Sequence, residues 1–104
     1  MAAPVATLEL LGTSPEGESF AVHIGVGVPA LNEAPSCYAC EVEVHPISGR
    51  SHLIYGEGPL QALCLASQHA MQVLATFLER GGKLTHSDGS AFEPQAYGFR
   101  LLGE

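Results

Sequence analysis

Two cysteines three positions apart, Cys37 and Cys40, form the sharpest chemical motif in the chain. A redox dithiol needs such a pair at the N-terminus of a helix, where the dipole lowers the thiol pKa. Here the pair leads into residues 41–44, which alternate as a strand does, so Cys40 is expected inward and Cys37 outward. A zinc site needs further ligands, and the sequence has no second CxxC and no HxxxH. The motif therefore predicts a buried structural cysteine.

Histidines and glutamates on neighbouring strands make a second set with chemical potential. If these strands are adjacent in the sheet, the side chains share the face opposite the Val/Ile face. Imidazoles and carboxylates on rigid strands can bind a metal ion or perform acid–base chemistry. The alternative is the solvated outer face of a one-sided sheet, which requires no function. The five residues are His23, Glu41, Glu43, His45 and His52.

A third set, His86, Ser87 and Asp88, contains the residue types of a hydrolase triad. Triad geometry requires side chains that converge from separate elements, and three consecutive residues cannot do so. Because Asp88 is followed by Gly89, the segment predicts a turn.

Four strand-like segments must position these residues. Residues 6–10, 20–28, 38–45 and 52–55 alternate apolar and other side chains with period two. Turn formers at 12–17 and 46–49 separate them, and residues 29–35 have the composition of a loop. Short connections between successive strands favour an antiparallel meander.

One long helix follows the strands. Gly58 and Pro59 fit its start, no proline or glycine interrupts residues 60–80, and Gly81 with Gly82 supplies a stop. Its apolar arc is wider than one sheet needs, so the C-terminal segment or a second subunit should cover the rest. The sequence thus predicts one α+β domain over residues 1–104: a four-stranded antiparallel meander packed on one long helix, with an irregular C-terminal segment.

Composition narrows the class of partner. Eleven acidic and four basic residues give a net charge of −7, which disfavours binding to nucleic acid and to anionic membranes. Charged residues make up 14% of the chain against a typical value of about 25%, which favours self-association. The chain begins without a secretory signal pattern and contains an odd number of cysteines, so a cytoplasmic location is expected.

Residues 54–66, with the sequence IYGEGPLQALCLA, carry a family resemblance. The segment resembles small bacterial proteins grouped as a domain of unknown function, in which a strand ends at glycine and passes into a helix beginning Leu-Gln-Ala-Leu. Those proteins also tend to place a cysteine in the preceding strand, where Cys40 stands here. Pro59 departs from the pattern, because a polar capping residue is expected at that point. The resemblance implies an α+β fold and a bacterial source, and it implies no activity.

These observations favour a non-enzymatic protein-binding or regulatory module that self-associates as a homodimer and needs no cofactor. The alternative is a metal-binding protein or metal-dependent enzyme that uses the histidine and glutamate set. One strand face, opposite its Val/Ile side, carries small residues that make it flat, and a flat face suits another chain. The predicted interface residues are Ala21, Gly25, Gly27 and, on the helix, Leu65.

Overall fold

A computed structural model describes residues 3–32 and 37–102 as an α+β fold, in which an antiparallel sheet packs against one 21-residue helix. No helix among these residues is long and apolar enough to cross a membrane. In chain order the elements are β1 (Ala6–Thr13), β2 (Ser19–Val26), β3 (Ala30–Asn32), β4 (Cys37–His45), β5 (His52–Gly56), α1 (Pro59–Glu79), β6 (Lys83–Thr85) and a short 3-10 helix (Pro94–Tyr97).

The sheet has six strands, so the expected four-stranded meander is correct in class and incomplete in detail. The expected strands correspond to β1, β2, β4 and β5, and each pairs antiparallel with the next. β6 adds to the far side of β1, and β3 pairs with the start of β4. The loop expected over residues 29–35 therefore contains a strand, and residues 33–35 of this loop lie outside the described part of the chain.

β4 is the centre of the sheet because it pairs with three strands. Tyr38 faces both Leu31 of β3 and Gly56 of β5, so β3 and β5 lie on opposite edges of β4. Val42 likewise faces β2 on one side and β5 on the other. β2 and β3 therefore share one edge of β4, and β5 occupies the other.

The helix begins and ends where the glycine and proline pattern predicts. Pro59 is its first residue, where the missing N–H costs no hydrogen bond. At the other end Gly81 adopts a φ of 97°, and its N–H donates to the Leu78 carbonyl at 3.1 Å. The N–H of Gly82 donates to the Phe77 carbonyl at 3.1 Å. These two bonds form a Schellman motif, which satisfies carbonyls that the helix end leaves free.

The helix lies mainly over β4 and β5, and the core forms between it and the inner face of the sheet. At Gly56 the strand and the helix backbones nearly touch, because an added Cβ would lie 2.6 Å from the Ala62 nitrogen. The fully buried side chains include Val22, Cys40, Val42 and Leu74.

The C-terminal segment packs along one side of the helix. Gln68 Nε2 donates to the Arg100 carbonyl at 3.3 Å, and the Gln72 side chain both donates to and accepts from the Leu102 backbone at 3.2 and 2.8 Å. Leu101 and Phe92 are buried beneath this segment. The chain's own tail therefore covers part of the helix, whereas Leu60 and Leu65 stay exposed.

Candidate functional site

The outer face of the sheet brings His23 between two carboxylates. In the register of β1, β2 and β4, Glu9, His23 and His45 form one row across the three strands. His23 Nδ1 contacts Glu9 Oε1, and His23 Nε2 lies 3.4 Å from Glu43 Oε1. The His23 side chain is 39% exposed, so solvent screens its contacts with the two carboxylates.

The predicted metal set does not assemble as a whole. Glu41, Glu43 and His45 lie on the outer face with His23, but Glu41 accepts a hydrogen bond from Ser51 at 2.9 Å. His52 lies on the opposite face, because it pairs with the fully buried Val42 and its ring packs against the helix. Its expected place on the outer face was wrong. Within residues 3–32 and 37–102, no three His, Cys, Asp or Glu side chains are placed to hold one metal ion.

Under β5, His52 forms a polar cluster with Ser48 and His69 that the sequence pattern did not indicate. The two imidazole centres are 5.0 Å apart, with the rings inclined at 64°. Ser48 Oγ donates to the Arg50 carbonyl at 3.2 Å, and His52 Nε2 lies 3.2 Å from Ser48 Oγ.

His69 is half-buried, like the other two members of this cluster. Its Nε2 is inaccessible and has no hydrogen-bond partner among the described residues. Burial, and then the neighbouring His52, lower the pKa of His69 from its ordinary value of 6.5, which favours the neutral imidazole. A cavity of about 360 Å³ adjoins His69, between Ile47 and Ser48 on one side and the second half of α1 on the other.

The outer side of β5 carries an exposed apolar patch. Leu53 and Tyr55 point away from the helix and are 56% and 49% exposed. Tyr55 faces Ala39, which faces Ala30, so these three residues form one row across β5, β4 and β3. We call Leu53, Tyr55, Ala39 and Ala30 the β5 patch. Strand alternation would normally bury the larger apolar residues of β5, and here Ile54 and Gly56 face inward instead.

The predicted interface residues differ in accessibility. Ala21 is exposed, and Leu65 on the helix is 39% exposed. Gly25 and Gly27 are buried. A Cβ at Gly25 would lie 3.3 Å from Glu43 Oε1, so neighbouring side chains cover this part of the face and it is not flat. Ala21 and Leu65 stay predictions as contact residues, whereas the two glycines are too covered to touch a partner.

The three cysteines differ in burial, and the thiol of Cys40 is hydrogen-bonded inside the core. Cys40 is fully buried, its thiol donates to the Gly27 carbonyl at 3.2 Å, and burial raises its pKa. A raised pKa keeps the thiol protonated and unreactive, in agreement with the predicted structural role. Cys37 is half-buried and Cys64 is exposed, and all three cysteines are free.

Residues 86–89 form the expected turn, closed by a 2.9 Å bond from the Gly89 N–H to the His86 carbonyl. Asp88 Oδ1 accepts from the backbone and hydroxyl of Ser90 at 2.9 and 2.6 Å. These bonds lower the pKa of Asp88, and they keep its carboxylate within the turn.

No protein-family model, no curated protein and no solved structure matches this chain. The resemblance of residues 54–66 to a family of unknown function therefore stays a prediction.

Proposed function

We propose that this protein is a non-enzymatic binding module that acts through protein contacts and self-associates through the β5 patch. The observation that carries this proposal is the orientation of β5, which exposes Leu53 and Tyr55 and turns the smaller Gly56 toward the helix. Exposed apolar residues that share one face of an edge strand are typical of an interaction surface.

The energetics of the β5 patch favour association over exposure. Burying a leucine-sized side chain contributes about 1.5–3 kcal/mol, and Leu53 and Tyr55 each keep about half of their surface exposed in the single chain. No carboxylate lies within β5 itself, and Glu41, which pairs with Leu53 from β4, accepts a hydrogen bond from Ser51. A second copy of the chain presents the same uncharged strand, which makes self-association compatible with the acidity of the whole.

Light scattering after size-exclusion chromatography, over a range of protein concentrations, tests the proposal. We expect a dimer in the wild type and a monomer for Leu53→Lys. In a symmetric dimer each substitution acts twice, so a loss of about 1.5 kcal/mol per copy weakens association roughly 100-fold.

Leu11→Lys provides the matched control. Leu11 is 54% exposed and also lies on the outer face, but at the opposite end of the sheet, between β2 and β6. We expect this variant to dimerise as the wild type does, and a loss of dimer would instead favour the predicted contact residue Ala21, which pairs with Leu11. A wild-type protein that stays monomeric at every concentration contradicts self-association, and equal losses in both variants contradict the assignment to the β5 patch.

The alternative function is metal binding by the four predicted residues that lie on the outer face, which are His23, Glu41, Glu43 and His45. One observation favours it, since His23 already lies between Glu9 and Glu43 on rigid strands. Native mass spectrometry with added zinc tests the alternative. Uptake that His23→Ala and His45→Ala remove, and that the inward-facing His52→Ala retains, would support an outer-face site. Uptake that is unchanged in His23→Ala and His45→Ala would remove it.

A further inference from the structure

β5 lies at one edge of the sheet, where it can pair with another chain. β5 spans five residues and pairs with β4 on one side, and among the described residues nothing pairs with its other side. β3 and β6 are also at edges, but each has three residues. Residues 90–92 return along β6, with a bridge between Thr85 and Ala91 and a 3.0 Å bond from the Phe92 N–H to the Leu84 carbonyl. A free edge of β5's length is a ready template for strand addition.

We propose that two copies of the chain pair antiparallel through β5, about a two-fold axis at Ile54, to form one continuous sheet. This inference rests on the proposed self-association and specifies its geometry. In this register Ile54 faces Ile54 of the second copy, and Leu53 faces its Tyr55. The outer face then gains two aliphatic–aromatic cross-strand pairs, which are among the favourable pairs in antiparallel sheets.

The inner side of β5 supports the same register. A groove of about 600 Å³ runs beside β5, lined by Ile54, Leu65 and the tail residues Leu101 and Leu102. A two-fold axis perpendicular to the sheet keeps both helices on the same side, so this groove and its copy meet at the axis. The exposed Leu65 and Leu102 thereby gain apolar neighbours from the second chain. The contact is isologous, and it closes after two copies because each chain offers the same edge of β5 to the other.

Disulfide trapping tests the register. In a Cys37→Ser, Cys64→Ser background, Leu53→Cys and Tyr55→Cys are prepared as separate proteins, mixed and oxidised. Residues that face each other across antiparallel strands have Cβ atoms about 4.5–5.5 Å apart, against roughly 7–8 Å for diagonal neighbours. We expect the mixed disulfide to exceed either homodisulfide at least about threefold, because a disulfide requires Cβ atoms about 3.5–4.5 Å apart.

Hydrogen exchange on the wild-type dimer provides a second test that no substitution can disturb. The β5 amides that do not bond to β4 should exchange at least about tenfold more slowly in the dimer than after dilution to monomer, whereas β6 amides should not change. A monomeric wild type would defeat the proposed function itself. A dimer without excess mixed disulfide, or without added protection in β5, would leave self-association standing and overturn this register.

Discussion

Strands β6 and β5, at two edges of the sheet, differ in how their unpaired backbone groups are covered. At the β6 edge, the chain turns at residues 86–89 and returns over the strand, which also begins with Lys83. At the β5 edge, Leu53 and Tyr55 are exposed, and no described residue covers the strand's free side. Natural sheets usually protect their edges by short strands, charges or covering segments. The chain protects the β6 edge with its own residues, and we propose that a second copy covers the β5 edge.

The largest expected difference in the free energy of unfolding is between two leucine-to-alanine substitutions, one at each edge. Leu84 of β6 is 3% exposed within the core, whereas Leu53 of β5 is 56% exposed. We expect Leu84→Ala to lower the free energy of unfolding by about 3 kcal/mol, because it leaves a cavity. Leu53→Ala should change it by less than about 0.5 kcal/mol in the monomer. Urea unfolding of monomeric samples measures both, and comparable losses would mean that β5 is not open.

A smaller effect is expected from the turn that closes the β6 edge. Gly89 has a φ of 89°, a region that side chains disfavour, so Gly89→Ala should cost about 1 kcal/mol. Gly49 lies in the turn before β5, with an ordinary φ and nothing within 4 Å of an added Cβ, and Gly49→Ala is the control. Hydrogen exchange should show faster opening of β6 in Gly89→Ala only. Unchanged exchange there would mean that the turn does not protect this edge.

The smallest expected effect is a difference between the two edges in the pH dependence of stability. His69, under β5, has a pKa lowered from 6.5, so the unfolded state binds the proton more tightly than the folded state. Stability from this group is complete above about pH 6.5 and is lost as the pH falls toward the lowered folded value. Unfolding midpoints of wild type and His69→Gln should converge between pH 8 and 5. A constant difference across this range would contradict the assignment.

At the β6 edge the corresponding group is Asp88, whose pKa is lowered from 3.8 by its bonds to Ser90. Its contribution is complete above about pH 3.8 and is lost only as the pH falls below that value. Asp88→Asn should therefore behave as the wild type does in the pH dependence between 8 and 5. A loss in that range would show that the two edges do not titrate separately.

Much of the fold could be predicted from local signals. The helix bounds follow from Pro59 and the Gly81–Gly82 pair, and the burial of Cys40 follows from strand alternation. β6 was missed because three residues are too short for a period-two pattern to show. Its pairing depends on the distant β1, which no local pattern encodes.

The orientation of β5 could not be predicted for a different reason. Alternation alone places Leu53 and Tyr55 inside, as the more apolar choice. The structure reverses this because Gly56 must meet the helix backbone at Ala62, where a side chain would collide. The same reversal brings His52 to His69 and removes it from the expected metal set. A steric requirement at the junction with the helix thus decides the candidate site.

The three cysteines differ in burial, so their rates of reaction with a thiol reagent report how the protein unfolds locally and globally. A thiol reagent should label Cys64 at once in the native protein, since it is exposed. Cys37 should follow when β4 loosens at its start, and Cys40 only when the core beneath β4 is breached. The order and spacing of three mass increments would then report local and global opening in one experiment, without any engineered probe.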